Sequence, residues 1–186
     1  MKKLLARTFL SGFIILLFSG NVIAGDTIWH IKAIDEHGKT LDVKAFYDKN
    51  PNQLYPVKAI ERESVSGQDI LDIKVLNHQN EEHADVKIIK SGSDVDHVKG
   101  VLKNGDTMHI KAITDEGKKL DIKSLRVSDN NFNIKAIGPN NTYYAIKAIS
   151  PKGVVYDVKG IKMLKDDIEM TLGKQDIHAH VKAISP

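Results

Sequence analysis

The chain contains no cysteine. That excludes a disulfide framework, thiolate metal sites, a thiol nucleophile and a lipidated N-terminal cysteine. Aromatic residues make up only 6% of the 186 positions, too little to build a base-stacking platform for nucleic acid. The motifs that announce catalysis are missing as well. No G-x-S-x-G, H-E-x-x-H, Walker loop or G-x-G-x-x-G occurs, and the carboxylate pairs Glu81-Glu82 and Asp166-Asp167 lie in polar, loop-like sequence where solvation explains them. The sequence reads as a non-enzyme with no cofactor.

Charge of one sign is also scarce, once its origin is traced. The chain has 27 basic and 24 acidic residues, for a formal charge of +3. Lys2, Lys3 and Arg7 open the chain, and an apolar stretch from Phe9 to Phe18 follows, broken only by Ser11 and Gly12. Val22-Ile23-Ala24 then places small residues at the −3 and −1 positions before Gly25. This layout predicts a secretory signal peptide over residues 1–24, cleaved after Ala24, and a single domain over 25–186. The apolar core is well short of the ~20 residues that span a bilayer, so no stable membrane insertion is expected after cleavage. Without those three cations the basic count falls from 27 to 24, equal to the acidic count. The surplus belongs to the export signal, and nucleic acid loses its electrostatic argument as a partner.

What fills the remainder is a repeat. Lysines at 32, 44, 58, 74, 87, 99, 111, 123, 135, 147, 159 and 182 each centre a unit such as His30-Ile-Lys-Ala-Ile34 or Asp121-Ile-Lys-Ser-Leu125. From 87 to 159 the step is 12 residues every time. Glu169-Met-Thr-Leu172 looks like a degenerate thirteenth unit. With the lysine as position 0, one face carries a large apolar residue at −3, Ile or Val at −1 and a small residue at +1. The other carries Asp, His or Asn at −2, the lysine, and an aliphatic residue at +2. Period-two alternation with β-branched residues predicts a strand in each unit.

The turns set the register within a hairpin. In Ile113-Thr-Asp-Glu-Gly-Lys118, Asp115 and Glu116 suit a type I turn, and Gly117 supplies the left-handed residue of a three-residue loop. If Thr114 pairs with Lys118, Lys111 faces Asp121, Ala112 faces Leu120, Ile110 faces Ile122, Lys123 faces His109 and Ser124 faces Met108. The same construction sets Lys32 opposite Asp42, Lys99 opposite His109 and Lys147 opposite Asn133. The expected fold is all-β: an antiparallel meander of about 13 short strands, curled or folded over as a sandwich or an open barrel. A regular closed barrel needs stagger that this register does not accumulate. The step of 13 from Lys74 to Lys87 calls for a bulge or an uneven loop.

The tandem Asp-(Ile/Val)-Lys-Ala-(Ile/Val/Leu) units, opened by Trp29-His-Ile-Lys-Ala-Ile34, resemble a group of secreted bacterial repeat proteins catalogued as a domain of unknown function. The likeness covers about residues 27–185 and departs from the regular pattern at 48–54, 61–70, 77–83 and 162–178. It implies a bacterial exported protein, periplasmic or extracellular, and carries over no catalytic residue.

Candidate sites follow from the irregular units, because function concentrates on loops held by a rigid scaffold. Alternate loops of a meander share an edge, so 47–54 and 77–83 should emerge together. They offer Tyr47, Asp48, Asn50, Asn52, Tyr55, Asn77, Asn80 and His83 as a shallow polar surface for a glycan or a divalent cation. His78, Glu82 and His83, and the pair His178 and His180 spaced to share a strand face, are the weak metal candidates. The histidines at −2 face lysines, a poor setting for a cation. The expected role is a binding or envelope-associated scaffold whose partner is a glycan or envelope component. The alternative is self-association through open sheet edges at 27–34 and 179–185.

Overall fold

The computed structural model describes residues 28–61, 69–77, 82–91 and 95–186. The expected signal peptide and the candidates His78 and Asn80 lie outside them. The protein is all-β. Its strands are β1 (Ile28–Ile34), β2 (Thr40–Tyr47), β3 (Asn50–Glu61), β4 (Ile70–Val75), β5 (Ala84–Ile89), β6 (Val95–Val101) and β7 (Thr107–Ile113). They continue with β8 (Lys119–Arg126), β9 (Asn131–Ile137), β10 (Tyr143–Ile149), β11 (Val155–Ile161), β12 (Met170–Leu172) and β13 (Gln175–Ile184). Every repeat lysine sits inside a strand, and the degenerate unit forms β12.

The turns form as the sequence predicts. Thr114 N–H donates to Lys118 O at 2.9 Å and Gly117 N–H donates to Thr114 O at 2.9 Å. Gly117 has φ +79, a value that costs glycine nothing because it carries no Cβ. Between β9 and β10 the left-handed positions fall instead to Asn140 and Asn141, with φ of 56 and 59.

The hairpins β3–β4, β5–β6 and β8–β9 pair along five or six residues, but most others pair over only half of each strand. In β7–β8 the register runs Lys111↔Asp121, Ala112↔Leu120, Ile113↔Lys119 and stops. The other half of β8 turns to β6, with His97↔Lys123 and Asp96↔Ser124. The expected contacts Lys123–His109, Ile110–Ile122 and Ser124–Met108 are therefore not formed. Ile110 lies opposite Ala45 instead. Lys147 likewise faces Asp157 rather than Asn133, which goes to Lys159. The physical reason is twist. Two strands joined by a tight turn diverge along their length, and the freed half finds the strand after next.

This splaying groups the strands in threes. The latter half of each member pairs with the first half of the next, cyclically, in β1–β2–β3, β4–β5–β13, β6–β7–β8 and β9–β10–β11. The opposite edge of every strand pairs with a strand of another trio: β1 with β10, β2 with β7, β3 with β4, β5 with β6, β8 with β9 and β11 with β13. Each trio thus meets each other trio once, which is the connectivity of a truncated tetrahedron. The meander curls into a closed shell, not a regular barrel.

Closure removes the free edges expected at the two ends. β1 pairs with β10, β2 and β3, and β13 pairs with β11, β4 and β5 as well as β12. Only β12, which pairs with β13 alone, keeps an open edge among the described strands.

Inside the shell the −1 row (Ile31, Val43, Val57, Ile73, Val86, Val98, Ile110, Ile122, Ile134, Ile146, Val158, Val181) is buried throughout. Each such side chain contributes about 1.5–3 kcal/mol. Residue +1 meets −3 within a trio and −1 between trios, as in Ala33↔Leu41 and Ala33↔Ile146, so it must be small. The β4–β5–β13 trio inverts the rule and compensates. Val75 opposes Ala84 and Ile88 opposes Ala179, with the small residue moved to −3.

Candidate functional site

The outer face is built from the lysines. Across all six joints between trios, lysine lies opposite lysine: Lys32↔Lys147, Lys44↔Lys111, Lys58↔Lys74, Lys87↔Lys99, Lys123↔Lys135 and Lys159↔Lys182. Like charges directly opposite each other are destabilising. All the ammoniums but those of Lys44 and Lys135, which face Pro56 and Ala145, are therefore drawn inward to the −2 residue of their own trio. Lys32–Asp42, Lys74–Asp85, Lys111–Asp121, Lys147–Asp157 and Lys182–Asp72 are ion pairs. Lys159 donates to Asn133 Oδ1 at 2.7 Å.

Four lysines use histidine as the acceptor. Lys58, Lys87, Lys99 and Lys123 approach the Nδ1 atoms of His30, His180, His109 and His97 at 2.8, 2.6, 2.7 and 2.8 Å. An ammonium can only donate, so these Nδ1 atoms accept and the imidazoles are neutral with the proton on Nε2. Two of them bring Nε2 close to a carboxylate, with a hydrogen bond in the case of His109. His109 Nε2 lies 2.5 Å from Asp48 Oδ1, and His180 Nε2 lies 3.1 Å from Glu169 Oε2. Burial first, then the neighbouring lysine charge, holds all four rings below the ordinary imidazole value.

From the two connections expected to emerge together, Tyr47 and Glu82 lie near enough for the Glu82 charge to act on the Tyr47 phenol. Tyr47 packs edge-on against Tyr55 with ring centres 5.7 Å apart. Its phenol is pushed up by burial, by Tyr55 and by the negative charges of Glu82 and of Asp106 in the β6–β7 turn. The segment 48–54 is not a loop insertion but a lengthened hairpin, with Tyr47↔Asn50 paired across a two-residue turn and a register shift behind it. Several expected ligands are already engaged. Tyr55 and Asn77 are buried, Asp48 holds His109, and Asn50 Nδ2 donates to Gln53 Oε1 at 2.8 Å. Asn52 and His83 are exposed beside Tyr47 and Glu82, which are partly so. The extra residue between Lys74 and Lys87 falls in the 76–83 connection, because Lys74↔Asp85 keeps the ordinary register.

The segment 162–174, which reads only as an interruption in the sequence, folds back over the β4–β5–β13 trio. Glu169 Oε1 accepts the backbone N–H groups of Met163 and Leu164. Met163 and Met170 overhang a cleft of about 390 Å³ lined by Asp72, Lys74, Asp85, Lys87, His180 and Lys182. His178 and His180 do not form a ligand pair. The register shifts between Ile177 and Ala179, and His178 is buried with its ring edge-on to Phe132, 5.0 Å between centres. Its Nδ1 lies 2.5 Å from Asp167 O, and its Nε2 lies 3.9 Å from Asp96 Oδ2.

Asp96 occupies −3, where other repeats place Trp29, Leu41 or Phe132, and that break in the apolar pattern marks it in the sequence. It is buried opposite Ser124, and its Oδ1 accepts the Ser91 N–H at 2.8 Å. Ser124 Oγ has no hydrogen-bond partner among the described residues, so Asp96, His178 and Ser124 are not joined in a proton relay there. Among the described residues no three His, Asp or Glu side chains cluster to hold a metal ion.

Comparison with curated proteins and with solved structures finds no match to either. A family model does match, over residues 25–184, and so nearly the whole of the chain described above. The chain belongs to the family of unknown function DUF7486.

Proposed function

We propose that this is an exported, non-enzymatic binding protein of the bacterial envelope, in which a rigid shell carries a ligand face formed by the 47–53, 82–83 and 102–106 segments. The observation that carries the reading is that Glu82 and Asp106, from two other hairpins, lie near enough for their charges to act on Tyr47. Backbone groups of the shell strands are committed to their neighbours, so the loops can vary without loosening the scaffold. Export rests on the basic start, apolar core and small-residue cleavage site of residues 1–24. The ligand class is a glycan, with a divalent cation as the second choice. Calorimetry with envelope glycans and with Ca²⁺ or Zn²⁺ tests it. Heat that is lost on His83→Ala supports the face, and no heat with any of them removes it. A pull-down from envelope and culture-medium fractions then identifies the partner.

A second reading is self-assembly, favoured by the open edge of β12. Met163, Leu164, Ile168 and Met170 are exposed on the same segment. Sedimentation decides: a monomer at every concentration rules out assembly through that edge.

A further inference from the structure

Ten of the repeat lysines have an acceptor at −2, and two do not. Lys44 faces Pro56, and Lys135 faces Ala145. The consequence is local. In β1–β2–β3, Lys32 and Lys44 share Asp42, with Lys44 Nζ 3.6 Å from Oδ2, while Lys58 turns to His30. In β9–β10–β11, Lys147 and Lys159 share Asp157, the latter at 3.8 Å, and Lys135 leans over the Tyr143 ring at 5.5 Å. Each of these trios sets three ammonium groups against one carboxylate. The other two trios are complete. β4–β5–β13 has Asp72 and Asp85, with Glu169 on His180, and β6–β7–β8 has Asp121, His97 and His109, with Asp48 on His109.

We propose that the two incomplete trios are oxyanion sites, each taking one phosphate or sulfate monoester. The three terminal oxygens of such an ester surround the ester bond with three-fold symmetry, and the three lysines surround the trio axis in the same way. One oxygen per lysine supplies the acceptor that Pro56 and Ala145 withhold. The side chains of Lys32, Lys44, Lys147 and Lys159 are only 30–33% exposed, so their charges are screened less than those of free surface lysines. In the first trio the ammoniums already act on one another. Burial, then the charges of Lys44 and Lys32, lowers Lys58 against the opposing pull of Asp42.

Titration with inorganic phosphate at constant ionic strength, followed by calorimetry and ³¹P NMR, tests the proposal. The expected stoichiometry is two per chain. Pro56→Asp installs the residue that five other repeats carry at −2 and should leave one site. Adding Ala145→Asp should leave none. Should an Asp variant lose its native circular dichroism, Lys44→Gln and Lys135→Gln give the same reading. Each should weaken its own site about tenfold, the loss of one charge-assisted hydrogen bond. Absence of binding, a stoichiometry unchanged by the Asp substitutions, or an affinity unchanged by the Gln substitutions overturns the proposal. A sugar phosphate and a sugar sulfate titrated in parallel show which ester is preferred. The loop face plays no part in this test, so either reading can fail alone.

Discussion

At ten of the twelve −2 positions the side chain offers an acceptor to a lysine that would otherwise face only another lysine. Asp does so with charge, and His does so only while neutral. The pH dependence of stability follows from that difference. His30, His97, His109, His178 and His180 are all held below the ordinary value of 6.5, chiefly by burial. The unfolded chain therefore takes up protons first, and stability that is intact above pH 6.5 is lost as the pH falls through the folded values. Asp42, Asp85 and Asp121 are held below 3.8 by their lysines, against burial that raises them and in Asp85 is the largest influence. Their contribution is lost as the pH falls below 3.8. The thermal midpoint should descend in two steps, and a flat profile between pH 7 and 4.5 would contradict the histidine argument. Exposure sets the size of single losses. The Lys182–Asp72 side chains are 15% and 10% exposed, those of Lys32–Asp42 32% and 49%. Asp72→Ala should cost about 3 kcal/mol, as when a buried pair is broken, and Asp42→Ala no more than about 1, by urea unfolding.

A strand here is a row of three inward residues whose sizes are fixed by two neighbours at once. Gly160 shows how tightly. A Cβ there would stand 2.2 Å from Ile88 Cδ1 and 3.0 Å from Phe132 Cβ. Two repeats carry a large +1 residue, Val75 and Ile88, and two carry glycine there, Gly100 and Gly160; Ile88 fills the space that Gly160 leaves. Gly160→Ala should destabilise by about 1–3 kcal/mol, the cost of overpacking a filled core. In an Ile88→Ala background the same change should be nearly neutral. A double-mutant cycle reads this directly, and additive losses would show that the two repeats do not share the space.

As a whole, the molecule is closed where a solenoid or an open meander would be extendable. Solenoid repeats contact only their sequence neighbours, so one unit can be added or removed. Here β11 pairs with β10, β9 and β13, strands of two different trios. Removing one period, residues 150–161, leaves three strands without a partner on one edge and no smaller shell with equivalent contacts. The deletion should abolish cooperative unfolding and near-ultraviolet dichroism. A native-like transition in the shortened chain would mean that the trios are stable one by one.

The amino-acid sequence by itself determined the strands, their inward faces and the first pairs of each hairpin, because alternation and turn chemistry are local. Lys111 opposite Asp121 and Ala112 opposite Leu120 were legible from a single glycine turn. Tertiary structure decided the rest. Which strand takes the far half of β8, and that Lys123 turns to His97 and not His109, depends on how twisted strands meet once the shell closes. The same holds for the surface. That Glu82 acts on Tyr47 accords with the order of the loops. That Asp48 is spent on His109, that His178 is buried beside Asp96, and that two lysine trios lack an acceptor followed from strands distant in sequence becoming neighbours. A repeat specifies what each unit can offer, and closure specifies which unit receives it.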